Sequence, residues 1–410
     1  MSAEDIKTIL FVDDEQSVLS SLRRLMRREG WNLLFAQSGI EGLEKLKQHK
    51  VDLVVCDMRM PKMDGAGFLK KVQDLYPNTT RIVLSGYADR ASVTQAFAAA
   101  DIYELIPKPW DDAELKKVLR DALDHSHDHE RARPGLHKII NEIETLPALP
   151  NTYNEVRKAL RKAQASNTDP VAEVIVTDPP VAARILQVAN SSFFGQRREV
   201  DTVSRAIFVL GLELVQNLVL AASVFQNMRF PEISNLKPEE LWRHSFAVGV
   251  IARYIAHIQK RPEAYQETAM LAGTMHDLGK LVLAKYVSGP YGEILATTAR
   301  SKTKLIETEQ EKLGTTHASV GGYLAQWWHL PPKIVDAVRY HHDPDKAQTD
   351  PVLTHLTHLA NALAHRLELS TSGPIGELEI APETCNVIGL RAEALAKIED
   401  ALRNTELMPN

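Results

Sequence analysis

Between Val51 and Cys56 five of six residues are apolar, and the run ends on Asp57, followed by Met58-Arg59-Met60-Pro61. An apolar segment this short and rich in valine fits a strand buried on both faces, as at the centre of a parallel sheet. Its acidic last residue then sits at the carboxyl end of a central strand. Open α/β sheets bind ligands at that end, where strand order reverses. A second segment, Ile9-Leu10-Phe11-Val12, also runs into acid at Asp13, Asp14 and Glu15. Together the two strand ends would crowd three aspartates into one pocket, which is unfavourable unless a cation joins them.

Strands and helices alternate around these two segments. Ser17–Arg28 places Val18, Leu22, Leu25 and Met26 on one helical face, and Leu33–Ala36 is a strand. Ser38 with Glu41 forms a capping-box pattern ahead of a helix over Ile40–Gln48. A helix over Gly67–Leu75, a strand over Ile82–Leu84 ending in Ser85-Gly86, and a helix near Arg90–Ala100 follow. The last strand, Ile102–Ile106, ends in Pro107-Lys108-Pro109, and a final helix starts near Asp111. Five βα units predict an α/β doubly wound sheet of five parallel strands over residues 1–125.

The motifs Phe11–Glu15, Asp57–Pro61 with Met63-Asp64-Gly65, Ser85-Gly86 and Lys108-Pro109 occur in this order at strand ends. In this the segment resembles the flavodoxin-like receiver domain of two-component response regulators. The resemblance implies that Asp57 accepts a phosphoryl group from a cognate histidine kinase. It also implies a Mg²⁺ held by Asp13, Asp14, Asp57 and the backbone carbonyl of Arg59. Ser85 and Lys108 would contact the phosphate, with Tyr103 a further switch residue. The residue types suit that chemistry: a carboxylate can be a phosphoryl nucleophile, Mg²⁺ prefers oxygen ligands, and lysine offers a mobile point charge. One position departs from the pattern. Leu105 stands where many receivers carry an aromatic residue three positions before the lysine, and Tyr103 lies two residues earlier.

Leu115, Val118, Leu119, Ala122 and Leu123 form an apolar stripe, after which His125–Arg133 is wholly polar and Pro134-Gly135 marks a boundary. Residues 126–135 read as a linker or extended helix. His125, His127 and His129 offer imidazoles to a metal, but a solvated helix end or linker accounts for them better. A helix continuing to Arg131 would be a rod able to transmit rotation or to pair two copies into a homodimer.

From residue 136 to 410 strand patterns stop, which predicts an all-α module. Amphipathic helices are expected over Asn151–Ala165, after a cap at Asp169-Pro170, and after Pro179-Pro180. Further helices are expected ending at Gly211 and over Leu212–Phe225, Glu239–Ile258 and Glu263–His276. The segments Leu146–Pro150, Asp178-Pro179, Val188–Ser191 with Phe194-Gly195, Ala206–Leu212, Leu241–Ser245 and Ala272–Leu281 carry a resemblance to the HDOD domain. His317, Leu330-Pro331 and Tyr340–His342 continue it.

HDOD domains are related to HD phosphohydrolases, including the HD-GYP cyclic di-GMP phosphodiesterases. By that relation His244, His276, Asp277, His317, His341, His342 and Asn361 fall at metal-site positions. Asn361 stands where the hydrolases place a distal Asp, and Asp343–Lys346 replaces their Gly-Tyr-Pro loop. Ten of the 15 histidines lie between His244 and His365, which favours a cluster. Imidazoles with one carboxylate suit Zn²⁺, Fe²⁺ or Mn²⁺; a site that has lost its metal but kept hydrogen-bonded histidines is the alternative. The resemblance implies an output that works by contact with a signalling protein, the alternative being a phosphorylation-gated metal-dependent phosphohydrolase.

The net charge of −5, with 18 basic and 20 acidic residues in 1–125 and 30 and 33 in the remainder, leaves neither half basic. No DNA partner is expected on that ground. Cys56 and Cys385 are too few for a disulfide framework or a cysteine metal site. No apolar run reaches membrane-spanning length, and the expected setting is the cytoplasm, away from membranes.

Overall fold

The structure is a computed structural model describing residues 6–77, 79–85, 104–124, 149–162, 169–191, 199–234, 236–301, 303–328, 330–368 and 379–403, with isolated positions between them. Contacts divide the chain into two units, Met1–Leu146 and Pro147–Asn410.

In the first unit the strands are β1 (Thr8–Val12), β2 (Asn32–Ala36), β3 (Leu53–Asp57), β4 (Thr80–Ser85) and β5 (Glu104–Pro107). They lie in the order β2-β1-β3-β4-β5, and each neighbouring pair is parallel. β1 and β3 are buried at every position, as their unbroken apolar runs require. Ile9, Phe11 and Val55 pack with Leu19, Leu22 and Met26 of the helix Gln16–Met26 and with Leu115 and Leu119 of the helix Asp112–Asp124. The order reverses at β1 and β3, so Asp13 and Asp57 leave adjacent strands at the same edge.

Two details of this unit differ from the sequence pattern. Ser38 caps the helix Gly39–Gln48 by accepting from Glu41 N at 3.2 Å, but the Glu41 carboxylate returns to Gln37 N at 2.8 Å rather than to Ser38. The capping box is thus shifted by one residue on its return leg. The helix after the Asp57 loop is Gly65–Leu75, capped by Asp64. It starts at Gly65 because a Cβ there would run into the Asp57 carbonyl oxygen. Gly65 N donates to Met58 O at 3.0 Å, closing the loop that follows Asp57. The helix expected at Arg90–Ala100, the start of the last strand, Tyr103 and the connector 126–134 with His125, His127 and His129 lie outside the described residues.

The second unit is helical throughout its named elements. The two prolines at 179 and 180 sit inside the first turn of Pro179–Ala189 rather than before it, because Asp178 accepts from Val181 N as the cap. Asp169 likewise begins its helix, Asp169–Val176. Gly211, with φ 81°, ends Val203–Leu210 and opens Leu212–Asn227. Those two helices meet at 118° and together have the length and composition of a broken membrane span, yet Leu214, Val215, Leu218, Val219 and Leu220 are buried within the unit. Among the described residues no single helix is long and apolar enough to cross a membrane.

Two glycine crossings position the histidines of this unit. The helices Pro238–Ile258 and Glu263–Met275 meet at Gly249 and Gly273, where a Cβ on Gly273 would lie 2.7 Å from Gly249 Cα. The helices Leu278–Tyr286 and His317–Trp327 meet where Gly279 lies against the His317 carbonyl and Gly321 N. Only hydrogen on those glycines allows backbones that close. The first crossing brings His244 to His276; the second brings His317 to Asp277.

Candidate functional site

The first unit gathers three charged groups at the strand-order reversal. Asp13 and Asp57 are buried, and Lys108, just past β5, donates to Asp13 Oδ2 at 2.7 Å and to Asp57 Oδ1. Backbone amides hold the other carboxylate oxygens: Glu15 N donates to Asp13 Oδ1 at 2.9 Å, and Arg59 N to Asp57 Oδ2 at 2.7 Å. Burial pushes both aspartates above the usual carboxylate range, and Lys108 offsets only part of that shift. Burial opposes the Lys108 ammonium, but its two aspartate partners outweigh it and hold its pKa up. Asp14 is exposed beside them. Ser85 closes β4 opposite Pro107, while its side chain and that of Leu105 lie outside the described residues. Two carboxylates sharing one ammonium leave a negative pocket lined by oxygen, suited to a hard cation and an incoming phosphoryl group.

The second unit gathers six groups around Asp277. This aspartate follows the helix Glu263–Met275 and precedes Leu278–Tyr286. Its Oδ2 lies 3.3 Å from His276 Nε2 and 3.8 Å from His244 Nε2; its Oδ1 lies 3.4 Å from His317 Nε2 and 3.8 Å from His341 Nε2. His342 Nε2 is 3.0 Å from His317 Nε2, and Asn361 Oδ1 is 3.1 Å from His244 Nε2. All seven positions marked from the sequence therefore meet in one place.

Helix ends set the direction of these rings. His276 and His341 each stand at the C-terminal cap of a helix, where carbonyls lack intrahelical partners. Each donates its Nδ1–H to the carbonyl three residues back, Gly273 O at 2.7 Å and Val338 O at 2.8 Å. His317 opens its helix, and Glu309 Oε2 accepts from both its backbone N at 2.8 Å and its Nδ1 at 2.7 Å. Glu309 also accepts from Tyr291 O–H at 3.1 Å. Three protons are thus fixed on Nδ1, so three Nε2 lone pairs point at a carboxylate.

Acceptors facing acceptors require a cation. His276 Nε2, His341 Nε2 and Asp277 Oδ1 are buried without a hydrogen-bond partner, while Asp277 Oδ2 has the Lys280 ammonium 2.8 Å away. Two sets within this cluster, His244-His276-Asp277 and His317-His341-His342, bring their ligand atoms within 4.8 Å of one another. Burial first, then neighbouring imidazoles, hold His341 and His342 far below the ordinary histidine range. Despite its burial Asp277 is held well below the usual carboxylate range, with the Lys280 ammonium against its Oδ2. Neutral imidazoles and an ionised carboxylate are the ligand forms of a borderline metal, so the residues present fit one.

Five residues in and around the cluster escape the sequence motifs. Lys280 lies one turn after Asp277, a spacing that could have flagged it. His365, four residues after Asn361, stacks on His244 with ring centroids 4.3 Å apart, and burial pushes it down to about 3. Glu309 and Tyr291 have no such signal, because folding alone brings them to His317. His358 donates from Nδ1 to His341 O at 2.7 Å and accepts from Ala381 N at 2.9 Å, tying the C-terminal segment to the His341 loop.

Comparison with known proteins divides the chain the same way. The family model "Response regulator receiver domain" matches residues 9–120, and the model "HDOD domain" matches residues 146–344. The Hydrogenase transcriptional regulatory protein HoxA of Cupriavidus necator is 37% identical over 138 residues, which are 34% of this chain and 28% of that protein. An uncharacterized protein of Treponema pallidum is 25% identical over 211 residues, 50% of this chain and 39% of that protein. The chain covers between 24% and 39% of the length of these curated relatives and of the HoxA of Bradyrhizobium diazoefficiens. Among solved structures, an HDOD domain protein with unknown function from Geobacter sulfurreducens shares the fold at a TM-score of 0.55 and 22% identity, covering 69% of this chain and 100% of that one.

Proposed function

The chain belongs to the response regulators that join a receiver domain to a C-terminal HDOD domain, and on that premise we propose that it relays phosphorylation of Asp57 to an HDOD surface read by a signalling protein. Residues 1–125 are the five-stranded receiver, 126–135 the connector and 136–410 the output module. The observation that carries the reading is the shared ammonium: Lys108 reaches both Asp13 and Asp57. A phosphohistidine of a cognate kinase supplies the group. An Asp57 oxygen bonds to phosphorus as the P–N bond breaks, and the imidazole leaves. Asp13, Asp14, Asp57 and the Arg59 carbonyl would hold Mg²⁺, which neutralises phosphate charge when bound. Lys108 would then turn from the carboxylates to the phosphoryl oxygens, Ser85 and Tyr103 being the further contact and switch residues that the resemblance implies. Neither half of the chain is basic, which supports a protein partner rather than DNA, in a cytoplasmic setting. A small phosphodonor with Mg²⁺ tests this: the wild type should be labelled and Asp57→Ala should not.

A second reading is favoured by the Asp277 cluster. His244, His276, Asp277, His317, His341, His342 and Asn361 would hold Zn²⁺, Fe²⁺ or Mn²⁺, which would supply Lewis acidity toward a phosphodiester such as cyclic di-GMP. Asn361 and the missing Gly-Tyr-Pro loop weigh against turnover, so protein contact remains the output we favour. Metal analysis and a hydrolysis assay on the purified chain separate the two.

A further inference from the structure

The two oxygens of Asp277 face unlike surroundings. On the Oδ2 side stand His244, His276 and the Lys280 ammonium, which is 2.8 Å away and itself buried. His244 Nε2 is 3.1 Å from Asn361 Oδ1. An amide oxygen only accepts, so His244 carries its proton on Nε2 and has no lone pair there to give a metal. Asn361 brings no charge, and the one anionic oxygen on this side is paired with an ammonium. A dication placed there would meet like charge with nothing to offset it.

The Oδ1 side has the opposite balance. His317 and His341 have given their Nδ1 protons to Glu309 and Val338 O, so their Nε2 atoms are acceptors. They lie 3.4 and 3.8 Å from Asp277 Oδ1. His342 Nε2, 3.0 Å from His317 Nε2, carries the proton between them, and it completes the set once that proton moves to its Nδ1. Three imidazole nitrogens and one carboxylate oxygen make a four-ligand set of the kind Zn²⁺ takes.

We infer that Lys280 fills one cation position with its own ammonium, and that the cluster takes a single zinc-type ion on Asp277 Oδ1, His317, His341 and His342. The inference rests on the metal reading of this unit. It also gives that reading a limit: a lone ion beside a fixed ammonium cannot clamp a phosphodiester between two metals, which sides with output by protein contact.

The test is a Zn²⁺ titration of the full chain, stripped with chelator, followed by calorimetry and elemental analysis. The wild type should take one equivalent. His244→Ala should keep it, and His341→Ala should bind at least about 100-fold more weakly. The double variant Lys280→Met/Asn361→Asp should take a second equivalent. Two equivalents in the wild type, or loss of the single equivalent in His244→Ala, would overturn the inference and leave the metal reading standing. No Zn²⁺ bound by either the wild type or the double variant would overturn the metal reading beneath it. Should the double variant fail to fold, wild-type stoichiometry and His244→Ala decide alone.

Discussion

Replacing Glu309 by alanine should destabilise the helical unit and loosen its metal site together. Glu309 is fully buried and accepts three hydrogen bonds, two from His317 and one from Tyr291. The alanine leaves three buried donors without that acceptor. Each unsatisfied donor costs about 1–3 kcal/mol. Tyr291 O–H can turn elsewhere, and removing a buried carboxylate returns some desolvation energy. With those offsets taken from the three donors, the net loss should be about 3–5 kcal/mol. For a unit of this size that lowers Tm by roughly 10 °C. Glu309→Gln keeps one oxygen for the two His317 donors and turns an NH₂ toward the Tyr291 oxygen, which can accept. It should lose only about 1 kcal/mol. Urea unfolding followed by tryptophan fluorescence measures both, and a Zn²⁺ titration should show the alanine variant binding about 10–100-fold more weakly. An alanine variant within about 1 kcal/mol of the wild type would refute the reasoning, as would a glutamine variant equally damaged.

Four further outcomes are expected. Lys108→Ala should still be labelled on Asp57 by a small phosphodonor but should respond to it less, read as the change in partner co-purification on labelling. Asp57→Asn should raise the urea midpoint of the receiver at pH 7, because burial holds the Asp57 pKa above its unfolded value; such a group stabilises below the unfolded carboxylate pKa and loses that contribution as pH rises through the folded one. The advantage of the variant should accordingly shrink as pH falls into the carboxylate range, and an advantage independent of pH would contradict the assignment. Leu105→Ala should leave signalling largely intact, whereas substitutions at Tyr103 should alter it in the same partner assay. Cyclic di-GMP should be turned over little or not at all with Mn²⁺ or Fe²⁺ added; robust turnover abolished by both His276→Ala and Asp277→Ala would favour the enzyme reading.

The receiver site could be read from sequence because its chemistry is local. Asp13 and Asp57 directly end or follow apolar strands, and a parallel sheet forces such ends to one edge. The return leg of the Ser38 capping box was misplaced because either of two adjacent amides could take Glu41, a choice made by side-chain reach rather than by spacing. In the helical unit the His276-Asp277 and His341-His342 doublets stood out, but what they face did not. Glu309 comes from a separate helix and is recognisable only after folding. The proton positions on His276 and His341 were equally hidden, although their cause is simple: each ring ends a helix and takes a carbonyl that the helix leaves open.

Both candidate sites set a lysine ammonium against buried aspartate, and the counts differ. In the receiver, one ammonium meets two carboxylates, Asp13 and Asp57, with Asp14 exposed nearby. A net negative charge remains, carried by oxygen, and a hard dication with an incoming phosphate can complete it. In the helical unit the ammonium meets one carboxylate; a second, Glu309, stands behind His317 and is taken up by its donors, and the remaining groups facing Asp277 are neutral nitrogen donors and an amide. The charge is already balanced on the Oδ2 side of Asp277, so an ion on the Oδ1 side must be won by imidazole lone pairs rather than by excess anion. The first arrangement favours an exchangeable ion that comes and goes with phosphate. The second favours an ion held by directed ligands, or none. That difference is why Lys280→Met/Asn361→Asp is the informative change: it removes the ammonium and adds an anion on the side that lacks one, and it should raise metal content there only if charge, rather than the missing Gly-Tyr-Pro loop, is what closed that position.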